Sequence, residues 1–247
     1  MRNFIDKLKR YFRFSKEETI SFWIVVVCLA FIYSWTDWGT QRFDAIVGLK
    51  NFLIAIALIG ITVFVHHAGQ RMMSLSLGLR AEHKMWWYGL LIGLILVAIT
   101  NGKIKFLAAT GTLAYLLPIH RLGAFRYGPN LTTLSKIAMA GPVANIFFSA
   151  IVKSFEWIGL LSPTIGQKLF VLNLTFAFWN LFPIPPLDGS KIFYYSRLTY
   201  VFLFTAFTGY VALEYFFQIY SYWAGLFIGS ICWLLYYIFI ERKVTIR

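Results

Sequence analysis

A carboxylate beside a helix break marks the part of this sequence best suited to chemistry. The stretch Asn180–Gly189 reads NLFPIPPLDG and lies inside an apolar region. Proline lacks a backbone N–H and interrupts a helix, and in hydrocarbon every freed backbone group must find another partner. The sequence therefore predicts a broken membrane helix with Asp188 beside the break. An ionisable side chain at membrane depth is a candidate functional residue. The alternative is a helix end near the lipid headgroups, capped by Asp188.

Four further segments combine with this stretch into a pattern that resembles a known family. HHAGQ (66–70), AGPVAN (140–145) and NLFPIPPLDG (180–189) lie in the order in which site-2 proteases carry H-E-x-x-H, G-P-x-x-N and a proline-rich signature ending in LDG. AEHKMW (81–86) and FLAATG (106–111) resemble connecting segments of the archaeal members. The resemblance implies the fold of an intramembrane zinc metalloprotease.

The resemblance covers residues 52 to about 210 and implies a metal site. In H-E-x-x-H, two histidines four residues apart bind zinc from one helix face, and the glutamate activates the metal-bound water. The matching positions here are the ligand positions His66, Gln70 and Asp188 and the general-base position His67. The resemblance also places Asn180 in the site and places Asn145 in the active-site cleft, hydrogen-bonded to the substrate backbone. The alternative for Asn145 is a polar contact between helices.

Two of these positions depart from the family pattern. Gln70 replaces the second histidine, and a neutral amide oxygen is a poorer zinc ligand than imidazole. His67 replaces the glutamate and points about 100° around the helix from His66, so the two rings do not easily chelate one ion. We therefore do not expect tight zinc binding. One alternative is a pair of satisfied polar histidines in a helix bundle. Another is a metal-free polar cavity in which Asp188 pairs with His66 or His67.

The composition is that of a polytopic membrane protein. The chain has 247 residues, of which 59% are hydrophobic and 13% charged, far from the composition of soluble domains. The net charge is +13, but lysine and arginine gather in short loops between apolar runs. That pattern indicates membrane topology and anionic lipid rather than nucleic acid. Cys28 and Cys232 lie in apolar runs and predict neither a disulfide nor a cysteine metal site.

The apolar runs predict an all-α, polytopic membrane helix bundle of about seven transmembrane helices plus a re-entrant segment, with a site-2 protease-like core. The predicted helices cover residues 20–38, 51–73, 86–100, 136–161, 166–183, 200–219 and 223–240. The run 86–100 is short for a full span. Residues 106–119 are predicted as re-entrant or extended backbone, which the bilayer tolerates only where protein covers it.

The N-terminus predicts a surface helix rather than a cleaved leader. Apolar residues recur at helical spacing among lysines and arginines in residues 1–14, which indicates an amphipathic helix on the cytoplasmic leaflet. Ser15 and Glu18 have the spacing of a capping box. We predict a cytoplasmic segment 1–18 and a membrane domain 19–247. No small-residue cleavage site follows the first apolar run, so we expect that span to remain. The excess of lysine and arginine predicts that both termini are cytoplasmic, in the cell membrane.

The sequence leaves three functions open. The leading hypothesis is a catalytically impaired family member that binds transmembrane segments of client proteins or other partners without cutting them, with no metal. The second is a working intramembrane zinc protease that uses His66, Gln70 and Asp188, with His67 as the base. The third is a conduit for small molecules or ions. Expected partners are the lipid bilayer and client segments, not nucleic acid. His83 and His120 lie in predicted connections without an implied role.

Overall fold

The chain folds into a mostly helical bundle with one small sheet. The computed structural model describes residues 2–39, 42–117, 129–217 and 221–241. The elements are, in chain order, α1 (Arg2–Tyr11), α2 (Lys16–Tyr33), α3 (Ala45–Ser76), β1 (Leu79–Met85), α4 (Trp87–Ile99), β2 (Thr110–Leu116), α5 (Leu131–Trp157), α6 (Pro163–Asn180), α7 (Asp188–Tyr195), α8 (Arg197–Phe217) and α9 (Ser221–Tyr236), followed by a π-helical turn (Tyr237–Glu241).

Each predicted apolar run contains a helix in the described part of the chain, but fewer of these helices qualify as membrane spans than the seven predicted. Within the described residues, three helices are long and apolar enough to cross a membrane: Ala45–Ser76, Leu131–Trp157 and Ser221–Glu241. The helix α4 has 13 residues, too few for a full crossing. The fold is therefore a mostly helical, membrane-type bundle, and the larger number of spans stays a prediction.

The small sheet departs from the all-α expectation. The strands β1 and β2 pair antiparallel, with His83 opposite Thr112. Residues 106–119 were predicted as re-entrant or extended, and the extended alternative is the one found over Thr110–Leu116; residues 118 and 119 lie outside the described part. The two strands satisfy each other's backbone groups along their shared edge. This pairing explains how extended backbone is accommodated beside apolar helices.

The helices α3 and α5 approach closely because small residues line their contact. A side chain added at Gly69 would come within 2.7 Å of the Ala140 carbonyl oxygen and 2.5 Å of the Ala144 methyl carbon. The helix α5 also packs against α6 and α7. These contacts bring one end of α3 against the start of α7, where the candidate site lies.

Candidate functional site

Three helices meet at a buried pair formed by His66 and Asp188. The His66 Nε2 atom of α3 lies 2.8 Å from the Asp188 Oδ2 atom at the start of α7. On the other side of the ring, His66 Nδ1 lies 2.8 Å from the Asn145 Oδ1 atom of α5. All three side chains are almost fully buried. The contact between His66 and Asp188 that the family resemblance implies is thus present, across 122 residues of sequence.

The hydrogen bonds of Asn145 fix the orientation of the His66 ring. Asn145 Nδ2 donates to the Thr62 carbonyl oxygen (3.1 Å) and to Asn173 Oδ1 (2.8 Å). Because both donors are used, Oδ1 faces His66, so His66 Nδ1 must donate the hydrogen. This leaves Nε2 directed at Asp188. Asn145 therefore positions His66.

Local glycines make room for this arrangement. A methyl group at Gly141 would lie 2.4 Å from His66 Nε2, so only glycine lets α5 pass beside the ring. A methyl group at Gly189 would lie 2.0 Å from the Leu181 carbonyl oxygen, where the chain turns back from α6 into α7. The proline-rich stretch between α6 and α7 is not helical, and its Pro185–Pro186 peptide is cis. The predicted helix break therefore places Asp188 in the first turn of the short helix α7.

The hydrogen bonds of Gln70 go to the sheet. Its Oε1 atom accepts hydrogen bonds from His83 Nε2 (2.9 Å) and from Thr112 Oγ1 (2.5 Å). An amide oxygen has two lone pairs, so both are occupied by residues of the sheet. The Gln70 Nε2 atom is buried without a hydrogen-bond partner among the described residues. The side chain at the second ligand position is therefore committed to β1 and β2.

His67 also contacts the sheet. Its ring stacks on the His83 ring, with centroids 3.8 Å apart and an interplanar angle of 16°. Its Nε2 atom lies 3.4 Å from Thr110 Oγ1, a long contact. His66 and His67 have ring centroids 6.2 Å apart. The two adjacent histidines thus lie in different surroundings: His66 contacts Asp188 and Asn145, and His67 contacts the sheet. Their helical spacing predicts this difference.

His83 is a member of this cluster that sequence reasoning did not assign. It lies on β1 and contacts both Gln70 and His67. Burial lowers the pKa of the His83 imidazole well below its ordinary value, and the positive charge of Arg71 lowers it further. His83 is therefore a neutral donor at this position. His120, the other histidine without an implied role, lies outside the described residues.

Lys191 adds a cation next to Asp188. Its Nζ atom lies 3.7 Å from Asp188 Oδ1 and has no hydrogen-bond partner among the described residues. Burial lowers the pKa of the Lys191 ammonium, and the Asp188 carboxylate opposes that shift. Asn180, in contrast, donates to the Phe176 carbonyl oxygen of its own helix (2.8 Å). The structure thus gives Asn180 a local helix contact and adds Lys191 to the surroundings of Asp188.

The donor set does not match a catalytic zinc centre. Such centres use three protein ligands drawn from histidine, cysteine and carboxylate residues. His66 and Asp188 supply two, and the described part of the chain contains no group of three such residues that could hold a metal. The third family position is Gln70, whose oxygen is already occupied by two donors. The described residues therefore supply two of the three protein ligands that such a centre needs.

Comparison with known proteins identifies the family. No protein-family profile matches the chain, and no solved structure matches it. A protein of Methanocaldococcus jannaschii named "Putative zinc metalloprotease MJ0611" is 31% identical over 187 residues, an alignment that covers 73% of this chain and 85% of the relative. At that identity and coverage, the chain belongs to the zinc metalloprotease family of this archaeal relative.

Proposed function

We propose that this protein is a catalytically impaired, membrane-embedded member of the site-2 protease group within its metalloprotease family. It binds transmembrane segments of client proteins or other membrane partners and does not cut them. The resemblance of residues 66–70, 140–145 and 180–189 to the family signatures supports the placement. The three helices apolar enough to span a membrane support a membrane location. We further propose that both termini are cytoplasmic, from the distribution of lysine and arginine.

The state of Gln70 is the observation that carries this proposal. Its amide oxygen accepts two hydrogen bonds from the sheet, so at least one of them would have to break before the oxygen could coordinate a metal beside His66 and Asp188. Two strong ligands hold zinc far less tightly than three. The second ligand position has thus become part of the link between α3 and the sheet.

The general-base position supports the same conclusion. A glutamate there would take a proton from metal-bound water. His67 instead stacks on His83, and no hydrogen bond joins it to Asp188 among the described contacts. The zinc would supply the activated water. Among the described residues, the family positions provide only His66 and Asp188 as strong ligands, and position 67 carries no carboxylate to receive the proton.

Metal analysis of the purified protein tests the proposal. The full chain is purified in detergent, equilibrated with a small excess of zinc, desalted, and measured by plasma mass spectrometry beside Asp188→Ala. We expect well under one zinc per chain in both proteins. A parent protein that holds one zinc tightly, lost in Asp188→Ala, would refute the impaired state.

A second candidate function is an active intramembrane zinc metalloprotease with His66, Gln70 and Asp188 as ligands. The name of the archaeal relative favours it. It requires the Gln70 oxygen to give up its hydrogen bond from His83, from Thr112 or from both when metal binds. Stoichiometric zinc in the metal analysis would select this function over the first.

Reversion of the two changed positions separates a lost ligand from a residue that never served as one. His67→Glu with Gln70→His restores the family motif on a helix that already carries His66. We expect the double variant to gain zinc affinity by orders of magnitude, because a third strong ligand completes the set. Gln70→His alone should supply most of this gain in zinc affinity, whereas His67→Glu alone should add little, because it restores the base and no ligand. Neither single change should be sufficient for catalysis. The matched control is Gln167→His, which adds an imidazole near the N-terminal end of α6. The C-terminal end of that helix carries Asn180. A folded double variant without a gain in zinc would contradict the assignment of Gln70 as a lost ligand.

A further inference from the structure

An ion pair between Glu18 and Arg71 is buried where the N-terminal segment meets α3. Arg71 Nη2 lies 2.5 Å from Glu18 Oε1. The side chain of Arg71 is fully buried, and that of Glu18 is 6% exposed. Removing one partner of such a pair leaves an uncompensated charge in an apolar surrounding. Arg71 directly follows Gln70 in the sequence of α3.

The Glu18 carboxylate links this pair to the sheet. Its Oε1 atom accepts a hydrogen bond from the His83 backbone N–H (3.1 Å). Its Oε2 atom accepts from the Ser15 backbone N–H (3.0 Å), which closes the predicted capping box at the start of α2. His83 in turn donates to Gln70. One carboxylate therefore joins the start of α2, the outer edge of β1 and, through His83, the second ligand position.

The other side of Arg71 contacts the segment that follows the N-terminal helix α1. Its Nη1 atom donates to the Arg13 carbonyl oxygen, and its guanidinium lies 4.2 Å from the centroid of the Phe14 ring. The segment that follows α1 is thus fixed to α3 through Arg71. A displacement of α1 would therefore disturb the Arg71 guanidinium, which also pairs with Glu18.

The exposed face of this N-terminal segment is cationic and borders apolar surface. The side chains of Lys9, Arg13 and Lys16 are exposed. Large apolar side chains beside them are also exposed, namely Ile5 (52%), Ile20 (60%) and Trp23 (53%). Cations next to exposed apolar residues are the composition of a helix that lies in a membrane interface and attracts anionic headgroups.

We propose that the N-terminal segment, residues 2–16, binds the anionic headgroups of the adjacent leaflet, and that this binding holds the His83 edge of the sheet through Arg71 and Glu18. With anionic lipid present, the segment is seated, Arg71 stays between Arg13 and Glu18, and Glu18 keeps the His83 amide. Without it, the segment loosens and the bond to the His83 amide opens more often. Glu18 is thus a positioning residue for His83 and Gln70. The inference does not depend on whether the protein binds zinc.

Hydrogen exchange of the β1 amides in nanodiscs of defined composition tests this directly. The readout is the exchange rate of the backbone amides of residues 79–85. They include the His83 N–H, which donates to Glu18 Oε1. We expect exchange there to be about tenfold slower in discs of phosphatidylcholine with anionic phosphatidylglycerol than in phosphatidylcholine alone, since local opening sets exchange rates. Peptides from residues 169–177, inside α6, should exchange equally in both discs and thereby report any global change in stability.

Two matched variants assign the effect to the N-terminal cations. The triple variant Lys9→Gln, Arg13→Gln, Lys16→Gln should lose the lipid dependence. The control Arg42→Gln, Lys50→Gln, Lys103→Gln removes the same charge from other exposed positions and should keep it. In the Glu18→Gln variant, the backbone amides of residues 79–85 should exchange fast in both lipid compositions. Equal exchange of the parent in both lipids, or equal loss in the two triple variants, would overturn the proposal. Zinc content is measured separately, so an error in the proposed function would leave this result unaffected.

Discussion

Replacement of Asn145 by alanine should destabilise the protein more than the same change at Asn180. Both asparagines are buried, and both occupy positions implied in the family's site. Asn145 bonds His66 and Thr62 of α3 and Asn173 of α6, three contacts that join three helices. Asn180 makes its described hydrogen bond within its own helix. The two variants remove the same atoms in different surroundings.

The expected difference follows from the hydrogen bonds that each variant loses. An interhelical hydrogen bond in a membrane protein contributes about 0.6 kcal/mol on average and up to about 1.7 kcal/mol. Three such bonds give a loss of roughly 2–4 kcal/mol for Asn145→Ala, including the cost of a His66 Nδ1–H left without a partner. Loss of one bond within a helix gives about 1 kcal/mol or less for Asn180→Ala.

Equilibrium unfolding in mixed micelles measures both values. The fraction of denaturing detergent is raised, and unfolding is followed by circular dichroism for the parent, Asn145→Ala and Asn180→Ala. If the two variants lose equal free energy of unfolding, the positioning role of Asn145 is wrong. Asn145 would then be available to line a cleft, as the family resemblance implies. A loss confined to Asn145→Ala favours the contact between helices.

Three further predictions concern the same surroundings. Gly141→Ala should cost about 1–3 kcal/mol of unfolding free energy by overpacking, since the new methyl group would meet His66 Nε2 at 2.4 Å; unchanged stability in the micelle assay would contradict this contact. The pKa of His83 is lower in the folded state than in the unfolded chain, so the unfolded state takes up the proton first and stability falls as pH drops below about 6.5. His83→Gln should reduce that fall, and an identical pH profile would refute the assignment. A reporter fused after Arg247 should be cytoplasmic, and an external reporter would reverse the proposed topology.

The contacts of His66 could be predicted because the sequence names both partners in family order. The segment 66–70 and the LDG signature fix two elements that the fold must bring together, and the prolines explain why a new helix starts at Asp188. The capping box of Ser15 and Glu18 is likewise present as predicted, since it depends only on local spacing. Local patterns and an ordered set of signatures were therefore sufficient for this part of the site.

The role of the sheet could not be predicted in the same way, although one signal was available. In β1, residues 79, 81 and 83 are buried and alternate with more exposed charged residues. That alternation has the period of a strand and places His83 on the inner face with Leu79 and Ala81. The contacts of Gln70 with Thr112 and of Glu18 with Arg71 join residues distant in sequence. Helix spacing carries no information on such pairs.

The two residues that depart from H-E-x-x-H, His67 and Gln70, both contact His83. His67 stacks on His83, and Gln70 accepts a hydrogen bond from it. The side chains at 67 and 70 are therefore coupled, because both contact His83 at the interface between α3 and β1. In the double reversion, His83 Nε2 would lose the Gln70 oxygen as its acceptor, and both new side chains would lie where His67 and Gln70 contact His83. The gain in zinc affinity expected of the double reversion therefore requires the imidazole at 70 to point towards Asp188 and not towards His83.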